Sequence, residues 1–518
     1  MYAAKINLRI VLLFLAYAEC YKILCLLPYP GKSHHMVYEP LLEELTNRGH
    51  NVTVVSFFPS SKPNPNRRDV SLVGLAPLNV EVIDLSTIDV KQFFGVEKIL
   101  ADVFLITELA KSNLRLCQKL LYSDVFKEFV EAKGDYDVII VEHFNSDCML
   151  GLVYNYGLPS IGLMSSPFLQ WTPSRLGAPD NPSYVPGMTL PMTDDMSFVE
   201  RMENAFMLYF FKWWFEIAIR WEEQKILEKR LGRKLPPLAE VAQNSSAVLV
   251  NTHYTLNGVR VMPPSFVEVG GMHLHKKTVN PLPKNIEKWV DEAKDGFILF
   301  SFGSLIRGST LPQKRLDAIL KVFAGLPQRV LWKWETELIQ NLPSNVLVMK
   351  WLPQYDLLQH PNCVAFITHG GMSSMTEAVA AAVPTVALAV LGDQFGNAAH
   401  AHAASGAPYL SLSDVSEDTL RAALQEVLSD RIRAATKLLS KKWQDRPLPP
   451  MATAVFYIEQ TARYGGLKMS SHARRLHGIQ LAMLDVIGFI LGVLFILLVA
   501  VKWFCGQCRK LRRKEKRC

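Results

Sequence analysis

The sequence predicts an α/β protein with two doubly wound, Rossmann-like domains facing a cleft, followed by a C-terminal transmembrane helix. Two separate series of short apolar runs alternate with helical patterns, and a long, almost uncharged run precedes a basic C-terminus. The 518 residues are enough for about two or three domains. A composition of 49% hydrophobic and 20% charged residues excludes an extended disordered chain.

Both series are typical of parallel sheets covered by helices. In the predicted N-terminal domain, residues 19–271, strand and helix patterns alternate at 21–28, 36–48, 51–58, 138–141, 148–156 and 160–164. In the predicted C-terminal domain, residues 286–465, they alternate at 297–302, 312–326, 330–334, 346–350, 363–368, 373–382 and 385–388. Residues 272–285 have linker composition. Two such domains predict a cleft, with ligands at the carboxyl ends of the strands.

A proline- and aromatic-rich stretch interrupts the first series. Prolines recur through residues 167–191, and residues 196–230 form a long helical pattern rich in Phe, Trp and Tyr. An irregular segment of this length inside a compact domain is more often functional than not. Three interpretations of the aromatic residues stay open: ordinary core, the wall of an apolar ligand pocket, or a surface that touches the membrane.

The two ends of the chain predict a single-pass membrane protein. Residues 481–501 contain one charged side chain, Asp485, and are long enough to cross the hydrocarbon core of a bilayer. Residues 1–18 have the basic start, short apolar run and small-residue cleavage pattern of a signal peptide. The basic tail, residues 502–518, is therefore expected in the cytosol and the body of the protein in the lumen.

Charge and short signals refine this expectation. The net charge is +8, but the tail holds eight bases and one acid, so we expect a bilayer and no nucleic acid as partner. Asn51 and Asn244 begin glycosylation sequons usable only in the lumen. Residues 514–518 are similar to the dilysine signal of endoplasmic reticulum membrane proteins, although a merely basic tail stays an alternative. The eight cysteines are not spaced as a disulfide scaffold or zinc site, and no metal site is expected.

Residues 366–377 carry the clearest local chemistry. An apolar strand leads into His369-Gly-Gly371 and then opens a helix with hydroxyl residues such as Ser373. Glycines let the backbone approach a ligand closely, and the free N–H groups at a helix start bind anions. His369 and Ser373 can add hydrogen bonds to a diphosphate, and Glu377, one turn further on, suits a ribose diol.

The motifs on either side of this segment make the pattern specific. Residues 351–354 read Trp-Leu-Pro-Gln, and residues 392–397 read Gly-Asp-Gln-Phe-Gly-Asn. In this order the motifs resemble the nucleotide-sugar signature of the membrane-bound UDP-glycosyltransferases of animals, the UDP-glucosyl- and UDP-glucuronosyltransferases, and specifically their insect-type branch. The resemblance covers nearly the whole chain, from Gly-Lys-Ser-His at 31–34 to Leu-Asp at 484–485. It implies a GT-B-like fold.

By this resemblance the second domain binds a UDP-sugar. Trp351 would stack on uracil, and Gln354 would bind at the base. The phosphates would be held by Ser304, His369, Gly371 and Ser373. The ribose would be held by Glu377, and the sugar hydroxyls would be contacted by Asp393 and Gln394. The UDP-sugar is a co-substrate, and no cofactor or metal ion is expected.

His34, which follows the first strand within the family's Gly-x-Ser-His pattern, is the implied catalytic base. A neutral imidazole, with an ordinary pKa of about 6.5, can take a proton from an acceptor hydroxyl. Such a base needs a carboxylate to orient it, and two candidates follow the strand at 138–141. Glu142 comes directly after that strand, and Asp147 stands at the next helix start, where it also suits a helix cap. We favour Asp147, because its residue type matches the family.

One position departs from the family pattern. Ala381-Ala382 stands before Val383-Pro384, where the family usually has His-Gly. Because a glycine is lost near a helix end, we expect a change in local packing without loss of donor binding.

These features predict an inverting UDP-glycosyltransferase that transfers glucose from UDP-glucose to a small lipophilic phenol or alcohol, giving a β-glucoside and UDP. A carbon nucleophile would need the same base, so O- and C-glycosylation both stay open. The alternatives are a UDP-glucuronosyltransferase and a membrane-tethered binder of lipophilic ligands without turnover. We expect a role in detoxification or secondary metabolism, and a homo-oligomer stays open.

Overall fold

The computed structural model describes residues 19–87, 96–131, 134–175, 178–336, 339–467, 469 and 471–515. The chain divides into two compact units, Met1–Met469 and Ser470–Cys518. The predicted signal peptide, residues 1–18, and the last three residues of the tail lie outside the described residues. The described residues of the first unit form two large parallel sheets and a small two-stranded one.

The first sheet is built from the first half of the chain. Its strands are β1 (Lys22–Leu27), β2 (Asn51–Ser56), β3 (Arg67–Ser71), the separate short β4 (Ile83–Asp84), β5 (Val138–Glu142), β6 (Ser160–Met164), β7 (Ala247–Val250) and β8 (Phe266–Glu268). All except β4, which lies outside this sheet, pair with one another in parallel, in the order β3-β2-β1-β5-β6-β7-β8. The helices are α1 (Lys32–Asn47), α2 (Val96–Leu121), α3 (Asp124–Glu131), α4 (Leu150–Tyr156), α5 (Thr172–Arg175), α6 (Phe198–Phe215), α7 (Trp221–Leu231), α8 (Leu238–Gln243) and α9 (Tyr254–Asn257).

The second half of the chain repeats this design. Its strands are β9 (Phe297–Ser301), β10 (Ile306–Arg307), β11 (Arg329–Lys333), β12 (Val346–Met349), β13 (Cys363–Thr368), β14 (Thr385–Ala389) and β15 (Tyr409–Ser411). Except for β10, they form a parallel sheet in the order β12-β11-β9-β13-β14-β15. The helices are α10 (Lys284–Asp291), α11 (Gln313–Ala324), α12 (Gln354–Leu358), α13 (Met372–Ala380), α14 (Gln394–Ser405), α15 (Glu417–Val427), α16 (Asp430–Gln444) and α17 (Pro450–Tyr464).

Strand β1 shows why the first sheet needs helices on both faces. All five of its apolar residues are buried, and successive side chains of a strand point to opposite faces. Ile23 and Cys25 therefore join the core under α1, whereas Leu24 and Leu26 join the core formed with α2, α3 and α4. A strand that is apolar on both faces is typical of a parallel sheet inside an α/β layer.

Two elements connect the halves of the first unit. Strand β4 of the first half pairs in parallel with β10 of the second half. Helix α17 follows the second sheet in sequence but packs on the first, where Met451, Ala454, Val455 and Ile458 join the core beneath α1. The last helix of the predicted segment 286–465 thus belongs to the core of the first sheet, and the domain boundaries themselves stay predictions.

A disulfide joins Cys117 of α2 to Cys148, which lies in the loop between β5 and α4. The cysteine spacing did not predict this pair, because 31 residues separate the two positions. Both side chains are buried in the core between the helix and the sheet. The bond ties α2 to the loop that begins at the end of β5.

The second unit contains α18 (Gly478–Leu481) and α19 (Leu484–Glu515). In α19, the segment Leu484–Lys510 contains an 18-residue window with a mean hydropathy of 2.9 and is long and apolar enough to cross a membrane. Asp485 lies in the first turn, where a carboxylate interacts favourably with the helix dipole. This helix agrees with the predicted transmembrane segment 481–501.

Candidate functional site

A cavity of about 540 Å³ opens at the carboxyl ends of both sheets. In each sheet the strand order reverses at one point, between β1 and β5 in the first and between β9 and β13 in the second. Loops leave such a point in opposite directions, so a crevice forms there that is the usual ligand site of doubly wound sheets. The segments that follow these four strands all contribute to the cavity wall.

The first switch point brings His34 and Glu142 together. His34 lies in the first turn of α1, 108 positions before Glu142, the last residue of β5. Its Nδ1 lies 2.6 Å from Oε1 of Glu142, which also accepts a hydrogen bond of 3.2 Å from the Tyr38 hydroxyl. A carboxylate at Nδ1 requires a proton there, so Nε2 is the ring nitrogen that can accept another.

The preference for Asp147 as the partner of His34 is wrong in this structure. The Asp147 carboxylate is fully buried and accepts a hydrogen bond of 2.8 Å from Nε of Arg220. Its backbone N–H donates to the buried carboxylate of Glu223 at 2.6 Å. Asp147 therefore anchors the loop after β5 to the helical segment around residue 220, while Glu142 takes the position beside the imidazole.

Two aromatic rings enclose the His34 imidazole. Tyr29 lies 4.4 Å and Phe144 4.5 Å from it, measured between ring centroids, and the imidazole is 15% exposed. Burial raises the pKa of Tyr29 to about 12, so this phenol stays neutral. Packing on two sides together with the Glu142 hydrogen bond holds the ring in one orientation, as a general base requires.

Asp393 and Gln394 approach the same cavity from the second sheet, at the start of α14. Burial raises the pKa of Asp393, against the lowering effects of a hydrogen bond from Asn397 and of the nearby His34. The Asn397 amide donates to Oδ2 of Asp393 at 2.9 Å and to the Gly370 carbonyl at 3.0 Å. The Gln394 amide oxygen accepts the backbone N–H groups of residues 390 and 391, which fixes its side chain.

At the second switch point the backbone passes close to a side chain, the His369 ring, at two glycines. A Cβ atom on Gly371 would lie 2.3 Å from Nε2 of His369, and one on Gly303 would lie 2.6 Å from Cε1. Burial and the nearby Lys333 lower the pKa of His369 to about 4, so its ring is neutral at neutral pH. Ser304, Gly371 and the first turn of α13 with Ser373 complete this part of the cavity wall.

Glu377 already binds two side chains. Oε2 accepts the Gln354 amide at 2.8 Å, and Oε1 accepts Nζ of Lys277 at 2.8 Å. The Lys277 ammonium also lies 4.2 Å from the centre of the Tyr355 ring. The sequence analysis placed Lys277 in a linker because of the composition of residues 272–285. Composition gives no indication of a contact with a residue 100 positions later in the chain.

Trp351 is 52% exposed and presents its indole to the cavity. The ammonium of Lys32, from the first turn of α1, lies 4.6 Å from the ring centroid. This cation–π contact crosses from the first half of the unit to the second. The sequence analysis did not single out Lys32, although this residue lies between Gly31 and Ser33 in the 31–34 motif.

The first half of the unit supplies an apolar wall. It comprises Met36, Val37, Ile106, Leu109, Phe144, Leu169, Trp171 and Met188. The Trp171 ring stacks on Phe215 of α6, with centroids 4.5 Å apart and planes 5° apart. Part of the aromatic stretch therefore supports the cavity wall, as one of its three interpretations predicts.

The remaining predicted positions lie away from the cavity. Asn51 and Asn244 are both exposed, and their glycosylation stays a prediction. Ala382, where the family usually has glycine, has a φ of 55°, a left-handed conformation that is costly for alanine.

A sequence model of the family described as UDP-glucoronosyl and UDP-glucosyl transferase matches residues 23–518. The chain belongs to the UDP-glycosyltransferase family. Among its relatives, UDP-glucosyltransferase 2 of Dactylopius coccus is 35% identical over 492 residues, covering 93% of this chain and 92% of the relative. UDP-glucuronosyltransferase 2B15 of Homo sapiens is 31% identical, covering 94% of this chain and 93% of the relative.

Solved structures confirm the predicted fold of this UDP-glycosyltransferase. The glycosyltransferase of kitacinnamycin superposes with a TM-score of 0.55 at 19% identity, covering 85% of this chain and 99% of the other. The calicheamicin glycosyltransferase CalG4 gives a TM-score of 0.52 at 16% identity, covering 86% and 100%. Both are GT-B glycosyltransferases, and the predicted GT-B-like architecture is therefore correct.

Proposed function

We propose that this membrane-anchored UDP-glycosyltransferase transfers glucose from UDP-glucose to a small lipophilic acceptor and inverts the anomeric configuration. The observation that carries the proposal is the arrangement of one cavity. The His34–Glu142 pair lies on its first-sheet side, beside the apolar wall, and Asp393 lies on its second-sheet side, close enough to interact electrostatically with His34. A base, an apolar acceptor surface and polar sugar contacts thus meet at one place.

In the proposed reaction, Nε2 of His34 takes the proton of the acceptor nucleophile, and Glu142 stabilises the imidazolium that forms. The nucleophile bonds to the anomeric carbon from the face opposite the diphosphate. The bond between that carbon and the diphosphate oxygen breaks, and UDP leaves with the electron pair. The N–H groups at the start of α13 and neutral His369 stabilise the leaving group, so we expect that no metal ion is needed.

Glucose is proposed over glucuronate from the charges around the cavity. Lys277 and Lys333 line it, but Lys277 binds Glu377, and Lys333 binds Glu335 at 3.0 Å and Glu81 at 3.2 Å. These lysines are thus already paired with carboxylates, whereas a uronate would add a further negative charge near Asp393. The name of the 35% identical insect relative, a UDP-glucosyltransferase, points in the same direction.

The test is a donor competition with the full-length chain in microsomes. UDP-glucose and UDP-glucuronate are supplied at equal concentration with a panel of lipophilic phenols and alcohols, and the products are separated by mass spectrometry. We expect acceptor-dependent UDP release with hexoside products, and none with His34→Ala. If uronosides were the main product, UDP-glucuronate and not UDP-glucose would be the preferred donor. Donor binding without UDP release from any acceptor would favour the non-catalytic binder.

We further propose a type I orientation in the endoplasmic reticulum membrane, with the first unit in the lumen. The Cys117–Cys148 disulfide supports this, because such bonds persist in oxidising compartments. Asn51→Gln and Asn244→Gln are expected to remove glycosidase-sensitive gel shifts from the parent chain. Unshifted parent protein, together with a tail protected from protease in sealed microsomes, would contradict this orientation.

A further inference from the structure

The continuous helical segment from α6 to α7 carries an apolar stripe on its outer face. Side chains three or four positions apart along it are each more than half exposed, namely Phe198, Met202, Phe206, Tyr209, Trp213, Ile217 and Trp221. This spacing places them on one side of the helix. Residues 216–220 form a π turn inside the segment, so the stripe continues across both helices.

The opposite face of the same segment is already buried. Met207, Phe211, Phe215 and Ile219 belong to one core cluster with Trp171 and Leu190. The core-facing side of this helix is therefore already packed, and the stripe is a separate side that faces outward. A helix that is apolar on both sides needs a second apolar environment, and exposed apolar patches of this kind mark interaction surfaces.

Several charged residues beside the stripe are engaged with neighbours within the first unit. Lys212 forms an ion pair with Asp180, and Glu216 forms one with Arg220. The Arg201 guanidinium donates to the carbonyl of residue 196 at 2.8 Å. Residues 198–221 hold three acidic and three basic side chains. The stripe thus offers aromatic and aliphatic surface with a border of no net charge, which suits an uncharged apolar phase better than an acidic or basic partner.

The dimensions of the stripe argue against a second copy of this chain as its partner. At 1.5 Å per residue the stripe is about 35 Å long, and a single helix is about 10 Å wide, which gives about 350 Å². A stable protein interface buries about 800 Å² on each partner. The stripe offers less than half of that area.

We propose that this stripe lies in the interfacial region of the lipid bilayer, with the helix roughly parallel to the membrane surface. The chain carries a helix, Leu484–Lys510, that is long and apolar enough to span a bilayer and would tether every copy to one. Tyr and Trp combine an apolar ring with a polar atom and are enriched at the boundary between acyl chains and headgroups. Since Phe215 on the buried face stacks on Trp171, this helix also backs the wall of the cavity.

The test uses the full-length chain in proteoliposomes of dioleoylphosphatidylcholine. Trp213→p-benzoylphenylalanine places a photoreactive group in the stripe, and Leu438→p-benzoylphenylalanine places one on α16 at a similarly exposed position, 54% against 68%. After irradiation, we expect many-fold more phospholipid adduct, measured by mass spectrometry, at position 213 than at 438. Equal adduct at both positions, or crosslinks mainly between copies of the chain, would overturn the proposal.

A second measurement avoids the unnatural residue. Brominated phosphatidylcholine quenches tryptophan near the acyl chains, and Trp503 in the membrane-spanning helix contributes equally to parent and variant. We expect the variant Trp213→Phe/Trp221→Phe to lose part of the quenching seen in the parent, with an unchanged unfolding midpoint. Identical fractional quenching in parent and variant would contradict a bilayer position for the stripe. Neither readout depends on turnover, so both are independent of the proposed reaction.

Discussion

Nδ1 of His34 lies 2.6 Å from Oε1 of Glu142, although 108 positions separate the two residues in sequence. The contact exists because β1 and β5 are neighbours in the first sheet, paired in parallel from Ile23 with Val138 onwards. The residues that follow two adjacent parallel strands emerge at the same edge. A base on one loop thereby obtains an orienting carboxylate from another.

Replacing Glu142 by Gln tests this relationship most directly. The amide keeps the size of the side chain but can no longer stabilise an imidazolium or hold the Nδ1–H tautomer. We expect kcat to fall by about 10²–10⁴-fold with little change in the KM for the UDP-sugar. Initial rates of UDP release at saturating donor and acceptor give the comparison.

Asp147→Ala is the matched control for Glu142→Gln. Because Asp147 is fully buried against Arg220, its removal leaves a buried guanidinium with one fewer partner. We expect the free energy of unfolding to fall by about 3–5 kcal/mol. A large loss of kcat in folded Asp147→Ala, with normal kcat in Glu142→Gln, would reverse the assignment of the two carboxylates.

Trp351→Ala tests the exposed indole as the platform for the base of the donor. Stacking of an aromatic side chain on a nucleobase contributes about 1–3 kcal/mol, so we expect the KM for the UDP-sugar to rise by about 5–150-fold. Trp351→Phe should show a smaller increase, because it keeps part of the aromatic surface. An unchanged donor KM in both variants would place the base elsewhere in the cavity.

Buried histidines predict an acid-sensitive fold. Burial is the main cause that lowers the pKa of His253, His273, His369 and His400 to about 4 each. The unfolded chain, with an ordinary histidine pKa of about 6.5, binds these protons more readily. Stability is therefore full above about pH 6.5 and declines as the pH falls toward 4.

Thermal unfolding midpoints measured across this pH range check the expectation, and His273→Phe is an informative variant. Neither ring nitrogen of His273 has a hydrogen-bond partner among the described residues, while Glu377 and Lys277 influence its charge. The variant removes one site of proton uptake by the unfolded chain, so its midpoint should fall less steeply with acid. A parent midpoint that stays constant from neutral pH down to about 5 would contradict the expectation.

Ala382→Gly is expected to stabilise the protein. Ala382 has a φ of 55°, where an L-residue with a Cβ pays about 1–2 kcal/mol that glycine does not. The greater conformational freedom of glycine in the unfolded chain offsets about 0.4–1 kcal/mol of this, which leaves a gain of up to about 1.6 kcal/mol. Denaturant unfolding measures it. The neighbouring Ala381, with a φ of −84°, is the control, since Ala381→Gly should destabilise.

Local patterns in the sequence predicted most of the elements that frame the site. The strands at 160–164 and 363–368 coincide with β6 and β13, because continuous apolar runs between turn residues need no distant contact to be recognised. Four strands of the two large sheets were missed, namely β3, β7, β8 and β15. The edge strands β8 and β15 have only three residues each, with intermediate burial at one or more positions, so no comparable pattern is present.

The sequence by itself determined the family and the two-sheet architecture and singled out His34 as the candidate base, because these depend on residue types at fixed local spacing. Tertiary structure decided which carboxylate meets His34, that Cys117 pairs with Cys148, and that Lys277 reaches Glu377. These contacts join positions 31 to 108 residues apart, and the order of strands in space selects them. Strand order is a property of the packed sheet, which no local spacing of residues encodes.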